Sequence, residues 1–189
     1  MLDTLPSGSP AVAFNIAMSI KRLNLTDFRC YKYLRLELDE RPVVITGNNG
    51  AGKTNLLEAI SYLVPGRGLR SAKLSDVSRN GGRSVKANEN KLEEGGSRWA
   101  VAAEILNHGK IVEIGTGLGS DYARSPKERR IVKVNGKAGV RQFELGKYAS
   151  ALWLTPQMDQ LFIGGSSLRR RFVDNLIVGM DRGYASLVS

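Results

Sequence analysis

Cysteine and histidine are almost missing: Cys30 and His108 are the only ones in 189 residues. One cysteine excludes an internal disulfide and fits a reducing cytosol, and it has no obvious catalytic companion. A single histidine with a cysteine remote in sequence makes a zinc site a poor reading. Long apolar runs are also lacking. None approaches the ~18 residues of a membrane span, so no membrane partner is expected. The apolar stretch Ala11 to Ile20 does not pass for a signal peptide. Asp3 is the only charge before it and Lys21-Arg22 follow it, which is the wrong polarity. Aromatic residues reach only 7%.

Basic residues are plentiful. Twenty-eight Lys and Arg against eighteen Asp and Glu give a net charge of +10, the balance of a protein with a polyanionic partner, although a generally solvated basic surface would look the same. The apolar share of 42% and charged share of 24% are those of an ordinary globular chain with room for one core.

Residues 1–17, with Pro6, Ser7, Gly8, Ser9 and Pro10, read as a loose extension, and Met18 is an alternative start. Ile20 to Phe28 and Leu34 to Leu38 alternate apolar and polar residues, as half-buried strands do. Val43 to Thr46 is a short apolar run, the pattern of a strand buried on both faces. From Thr54 to Val64 the period becomes helical, with Leu56, Leu57, Ile60, Leu63 and Val64 on one face and Pro65-Gly66 as the stop. Gly66 to Gly96 reads as a long basic loop. Trp99 to Leu106, Ile111 to Ile114 and Ile131 to Val134 read as strands of an antiparallel meander, turned at Asn107-His108-Gly109 and Asn135-Gly136. Ser120 to Arg130 between them reads as a charged loop. A strand-like run at Ala151 to Thr155 and a helix from about Ser167 to Met180 complete the pattern. The expected fold is an α/β lobe carrying an antiparallel β subsheet.

Gly47-Asn48-Asn49-Gly50-Ala51-Gly52-Lys53-Thr54 is a phosphate-binding loop. The glycines let consecutive backbone N–H groups turn inward on the α- and β-phosphates of ATP. Lys53 reaches the β- and γ-phosphates, the Thr54 hydroxyl ligates Mg²⁺, and the opening helix adds its positive dipole end. Chance would produce the pattern in roughly one chain of this size in a hundred. The strand before it and the helix after it divide that further.

Six segments extend the pattern: LTDFR (Leu25 to Arg29), ITGNNGAGKTNLLEAI (Ile45 to Ile60), GRGLRS (Gly66 to Ser71), VNGK (Val134 to Lys137), LTPQ (Leu154 to Gln157) and RRRFVD (Arg169 to Asp174). Together they resemble the RecF family of bacterial recombination-mediator ATPases, relatives of the SMC and ABC ATPases. Asn49, and Asn55 after Thr54, point to the SMC/RecF branch, and RRRFVD after LTPQ points to RecF. The resemblance implies the first lobe of an ABC/SMC-type P-loop NTPase, spanning 18–189 and incomplete at its C-terminus. It also implies a head that dimerises around two ATP molecules in the full-length protein, binds DNA, and works with recombination mediator proteins to load recombinase at gaps. By the same resemblance Arg29 lies near the nucleotide phosphates, and Gln157 takes the place of a glutamine that touches Mg²⁺ and the attacking water, joining Lys53 in catalysis.

An Asp-Glu strand end and a Leu-Ser-x-Gly-Gln-like signature, which hydrolysis of this type needs, do not occur in the sequence. The chain is therefore expected to be inactive as an ATPase alone. Arg67, Arg70 and Lys73 head a basic series (Arg79, Arg83, Lys86, Lys91) suited to DNA phosphates or simply to solvation. Arg169-Arg170-Arg171 reads first as a solvated helix face, then as a DNA or lobe contact. Two rival functions stand: a P-loop small-molecule kinase using Arg67 and Arg70 as lid arginines, and a basic DNA-binding module with a vestigial P-loop.

Overall fold

The computed structural model describes residues 2–4, 18–79, 99–121, 125–155 and 165–180. Eight strands are β1 (Leu2–Thr4), β2 (Met18–Phe28), β3 (Tyr31–Glu37), β4 (Val43–Ile45), β5 (Ala100–Asn107), β6 (Lys110–Asp121), β7 (Ser125–Val134) and β8 (Lys137–Ala138). The α-helices are α1 (Lys53–Ser61), α2 (Leu74–Val77) and α3 (Ser166–Met180), with a 3-10 helix at Gln142–Lys147.

The hairpin β2–β3 and the meander β5–β8 are one sheet, antiparallel throughout, in the order β3-β2-β5-β6-β7-β8. β2 is shared: Leu23 faces Leu36 on one side and Ala103 on the other, and Leu25 faces Leu34 and Val101. The inward residues Leu23, Leu25, Phe28, Val101, Ala103 and Ile105 form a floor on which Leu56, Ala59, Tyr62 and Leu63 of α1 and its last turn are buried. Three rings from three segments close it. Phe28 meets Tyr62 and Trp99 edge-on at 5.9 and 5.6 Å, and Tyr62 lies 5.0 Å from Trp99. The indole Nε1 of Trp99 donates to the Leu74 carbonyl at 2.8 Å, which satisfies the ring's one polar atom inside the core.

Several expectations are corrected. Val43 to Thr46 is not covered on both faces: among the described residues β4 pairs only with β1, and Val43 and Val44 are 37% and 45% exposed. Val43 borders an apolar cleft of about 320 Å³ lined by Ile20, Leu36, Leu56, Leu57 and Ile60. Leu57, expected inside, is half exposed beside that cleft. Leu2–Thr4 of the expected loose extension is the strand paired with β4. The charged stretch from Ser120 is mostly strand: β6 runs to Asp121 and β7 begins at Ser125. The glycines of β6 just before it are steric fits. A Cβ on Gly117 would lie 2.6 Å from the Trp99 carbonyl oxygen, and one on Gly119 2.5 Å from a methyl of Ile131. Ala151 to Thr155 has no regular structure, with Leu152 and Leu154 exposed and Trp153 packed on the core. α3 begins at Ser166, and Arg169 and Arg170 are exposed on it.

Candidate nucleotide site

The segment 47–54 leaves β4 and enters α1. Gly47, Gly50 and Gly52 have φ of 143°, 84° and 95°, a region that glycine adopts without the penalty a Cβ brings. Gly52 is the residue before the helix, and its carbonyl accepts the first helical bond from Leu56 N at 3.0 Å. Ala51 N bonds back to Asn48 O at 3.2 Å, closing the loop. Lys53 Nζ lies across it and donates to the carbonyls of Gly47 at 2.6 Å and Asn48 at 2.8 Å. Thr54 is exposed at the helix start. The loop therefore has the glycine geometry, the cation and the hydroxyl that a Mg²⁺-bound nucleotide triphosphate requires.

The turn between β2 and β3 is packed against this loop. Tyr31 Oη donates to the Gly52 carbonyl at 3.2 Å, and Asn55 Nδ2 donates to Cys30 Sγ at 3.2 Å. A Cβ on Gly52 would fall 2.7 Å from both Cys30 Sγ and Tyr31 Oη, so this glycine serves packing as well as φ. Asp27 and Arg29 hold positive φ in the turn, and two bonds to the end of α2 fix them: Arg29 N to Val77 O at 2.8 Å and Arg79 N to Asp27 O at 2.7 Å.

Arg29 does not lie open beside the loop. Its Nε and Nη2 fork onto the Glu58 carboxylate at 3.0 and 2.7 Å, and its Nη1 donates to the Asp76 carbonyl at 2.7 Å. The bonds to Glu58 outweigh burial and hold the guanidinium pKa above its ordinary value. Arg70 is on the same carboxylate: its Nη1 donates to Glu58 Oε2 and to Asn55 Oδ1, both at 3.1 Å. The loop after α1 carries it there. Ser61 Oγ donates to Glu58 O at 2.6 Å and accepts from Leu69 N at 2.7 Å, folding GRGLRS back along the helix. Gly68 permits the fold, because a Cβ there would strike the Tyr62 ring at 2.8 Å.

Of the basic residues expected to meet DNA, Arg67 and Lys73 are exposed, while Arg70 is drawn onto α1. Gln157 lies outside the described residues, as do Arg83, Lys86 and Lys91. Among the described residues no group of three or more His, Cys, Asp or Glu side chains is placed to hold a metal, and no helix is long and apolar enough to cross a membrane. Sequence reasoning missed Glu58. The available signal was a lone acid within the apolar run Leu56-Leu57-Glu58-Ala59-Ile60, three residues after Asn55 and so on its face.

The profile of the RecF/RecN/SMC N-terminal domain matches residues 19–104. The DNA replication and repair protein RecF of Agrobacterium fabrum is 44% identical over 172 residues, which are 91% of this chain and 42% of that protein. RecF of Allorhizobium ampelinum is 48% identical over 163 residues, 86% of this chain and 39% of its own length. The chain thus spans about two fifths of the curated relatives it matches. Two solved structures of the recombination mediator protein RecF in the RecFOR pathway, described as RecF-ATPrS and RecF-ATP, superpose with TM-scores of 0.67 and 0.66. Each is 26% identical, with 89% of this chain and 40% of that one covered. Their fold is the ABC/SMC-type P-loop lobe with an antiparallel subsheet described above, and the chain belongs to the RecF family.

Proposed function

We propose that residues 18–189 are an ATP-binding lobe working in DNA replication and repair, with Mg²⁺ as the companion ion. The observation that carries this is the loop at 47–54, where three positive-φ glycines open α1 and Lys53 lies across the turn. A bound nucleotide gives Lys53 a stronger acceptor than two neutral carbonyls, because charge-assisted bonds are roughly twice as strong as neutral ones. Lys53 then neutralises charge on the β- and γ-phosphates, Thr54 holds Mg²⁺, and the helix start adds its dipole. A bound Mg²⁺, held by the Thr54 hydroxyl, would supply the remaining charge neutralisation.

In the longer relatives the same lobe implies ATP-dependent dimerisation on DNA, contact with recombination mediator proteins, and support of recombinase loading at gaps. What supports the DNA side is the charge of +10, with Arg67 and Lys73 exposed, and the RecF relatives' description as DNA replication and repair proteins. A small-molecule kinase fits less well, since Arg70 is held on α1 by Asn55 and Glu58.

The test is calorimetric titration of ATP into wild type and Lys53→Ala. Losing one charge-assisted contact of about 1.5–3 kcal/mol lowers affinity at least about tenfold. Equal affinity of the two proteins would sink the nucleotide assignment and leave the vestigial P-loop reading in its place.

A further inference from the structure

The charges of the large sheet are sorted from one edge to the other. Around β2 and β3 cations and acids are interleaved: Arg22 pairs with Glu37 and Glu104, Arg35 with Glu37, Lys21 with Glu40 and Arg41 with Asp39. Toward β8 acids are scarce. Arg129 and Lys133 of β7, Lys137 of β8 and Arg141 just past it are exposed, and none is ion-paired among the described residues. The register leaves the two on β7 uncovered. Arg129 stands opposite Gly119 and Lys133 opposite Gly115, residues without a side chain, and Ile131 between them is opposite Gly117 and 39% exposed. Glu113, diagonal to Lys133 across the ladder, forms no ion pair with it. Glu144 is engaged by the Arg141 backbone N–H at 3.1 Å and by Lys147 at 3.7 Å. A surface charged only for solubility mixes both signs, as the β2–β3 end does.

Spacing and an exposed ring narrow the partner. Four residues along a strand cover about 13 Å, so Arg129 and Lys133 lie too far apart for one phosphate group and suit a chain of them. Phe143, two residues past Arg141, is 63% exposed. A ring beside cations is a stacking face for a nucleobase, and within a duplex the bases are already stacked and paired. We propose that Arg129, Lys133, Lys137 and Arg141 hold the phosphates of a single-stranded nucleic acid and that Phe143 stacks on one of its bases. The inference rests on the DNA side of the function proposed above. It deepens that reading by naming a surface, to which Arg67 and Lys73 do not belong, and a strandedness.

The experiment is a salt titration of fluorescent oligothymidine, followed by anisotropy. The proteins are wild type, the triple change Lys133→Gln, Lys137→Gln and Arg141→Gln, and the single changes Phe143→Ala and Phe143→Trp. The triple change flattens the slope of log affinity against log salt by about two, at roughly 0.7 for each lost phosphate contact on a single strand. Phe143→Ala lowers affinity about tenfold and leaves the slope as it was, because stacking releases no counterions. Phe143→Trp keeps the ring and binds at least as tightly as wild type. If the triple change does not fold, Lys133→Gln alone flattens the slope by about 0.7. A slope indifferent to the charge changes, or an affinity indifferent to Phe143→Ala, overturns the proposal. So does polyglutamate displacing the probe as well as unlabelled oligothymidine of equal charge, the behaviour of a dock for acidic protein. Wild type that binds a DNA duplex but not oligothymidine removes only this inference, whereas wild type that binds neither removes the DNA reading itself.

Discussion

Arg130 of β7 lies over the ring of Tyr62, 5.2 Å from its centroid, and caps the end of the helix that Tyr62 terminates. Its Nη1 donates to Gly66 O at 2.9 Å, its Nη2 to Tyr62 O and, at 3.3 Å, to Val64 O, and its Nε to Thr116 Oγ1 at 2.8 Å. The Tyr62 carbonyl is one that the helix end leaves without an intrahelical partner, those of Val64 and Gly66 belong to the chain just past it, and a cation there also meets the negative end of the dipole. Burial pushes the guanidinium pKa down to about 10, still far above neutrality, so the charge persists at physiological pH.

Replacing Arg130 by Met removes every one of those donors and keeps most of the stem. Buried carbonyls left unsatisfied cost about 1–3 kcal/mol, and the expected loss of stability is about 2–3 kcal/mol by urea unfolding. Arg130→Lys should recover part of it, having donors but no fork. Unfolding midpoints equal to wild type for Arg130→Met would show that solvent takes over the carbonyls.

Glu58→Ala should be among the most damaging single changes on α1. Breaking a fully buried ion pair typically costs 3–5 kcal/mol, and the partial exposure of Arg29 lowers the expectation to about 2–3 kcal/mol. A double change with Arg29→Met should cost less than the sum of the two, since neither charge is then stranded. Strict additivity in denaturant unfolding would mean that the pair contributes nothing as a pair.

Gly117→Ala tests the steric reading of the glycine-rich strand. The added methyl would meet the backbone oxygen of Trp99 at 2.6 Å, an atom that cannot rotate away, so about 2 kcal/mol or more should be lost. Gly109→Ala is the control: its surroundings are open and only its φ of 76° opposes a side chain, at about 1 kcal/mol. Thermal melts that rank Gly109→Ala as the worse of the two would refute the packing argument.

DNA binding, if charge in this lobe carries it, should be steeply salt-dependent. With about six phosphates contacted, affinity falls roughly a thousandfold between about 50 and 200 mM salt, with slight sequence preference. Arg67→Gln with Lys73→Gln should flatten the slope by about two contacts and leave ATP affinity unchanged. A titration on a fluorescent duplex with a flat slope in wild type would place the DNA site elsewhere.

Local chemistry was the legible part. The loop at 47–54 is a contiguous pattern whose geometry follows from glycine, and the alternation in Ile20 to Phe28 and Trp99 to Leu106 gave β2 and β5 almost to the residue. What escaped depends on partners distant in sequence. Ser125 to Arg130 is strand because it pairs with Leu118, Gly119 and Asp121, not because its own residues favour extension. Val43 and Val44 have a core composition, yet among the described residues β1 alone pairs with them. The roles of Glu58 and Arg130 required knowing that residues 29, 70 and 58, or 130 and 62, converge.

β2 is bonded along its length to β3 on one side and β5 on the other, and its end turns into the Cys30-Tyr31 contact with Gly52. A ladder of this kind resists bending but transmits displacement along the strands. The tip of the hairpin therefore behaves as the end of a stiff lever whose body is the whole sheet. A shift at Gly52 therefore acts first on the hairpin tip, and the register irregularities at Ile20/Arg22 and Gly119/Asp121 are the places in the ladder that yield before β8.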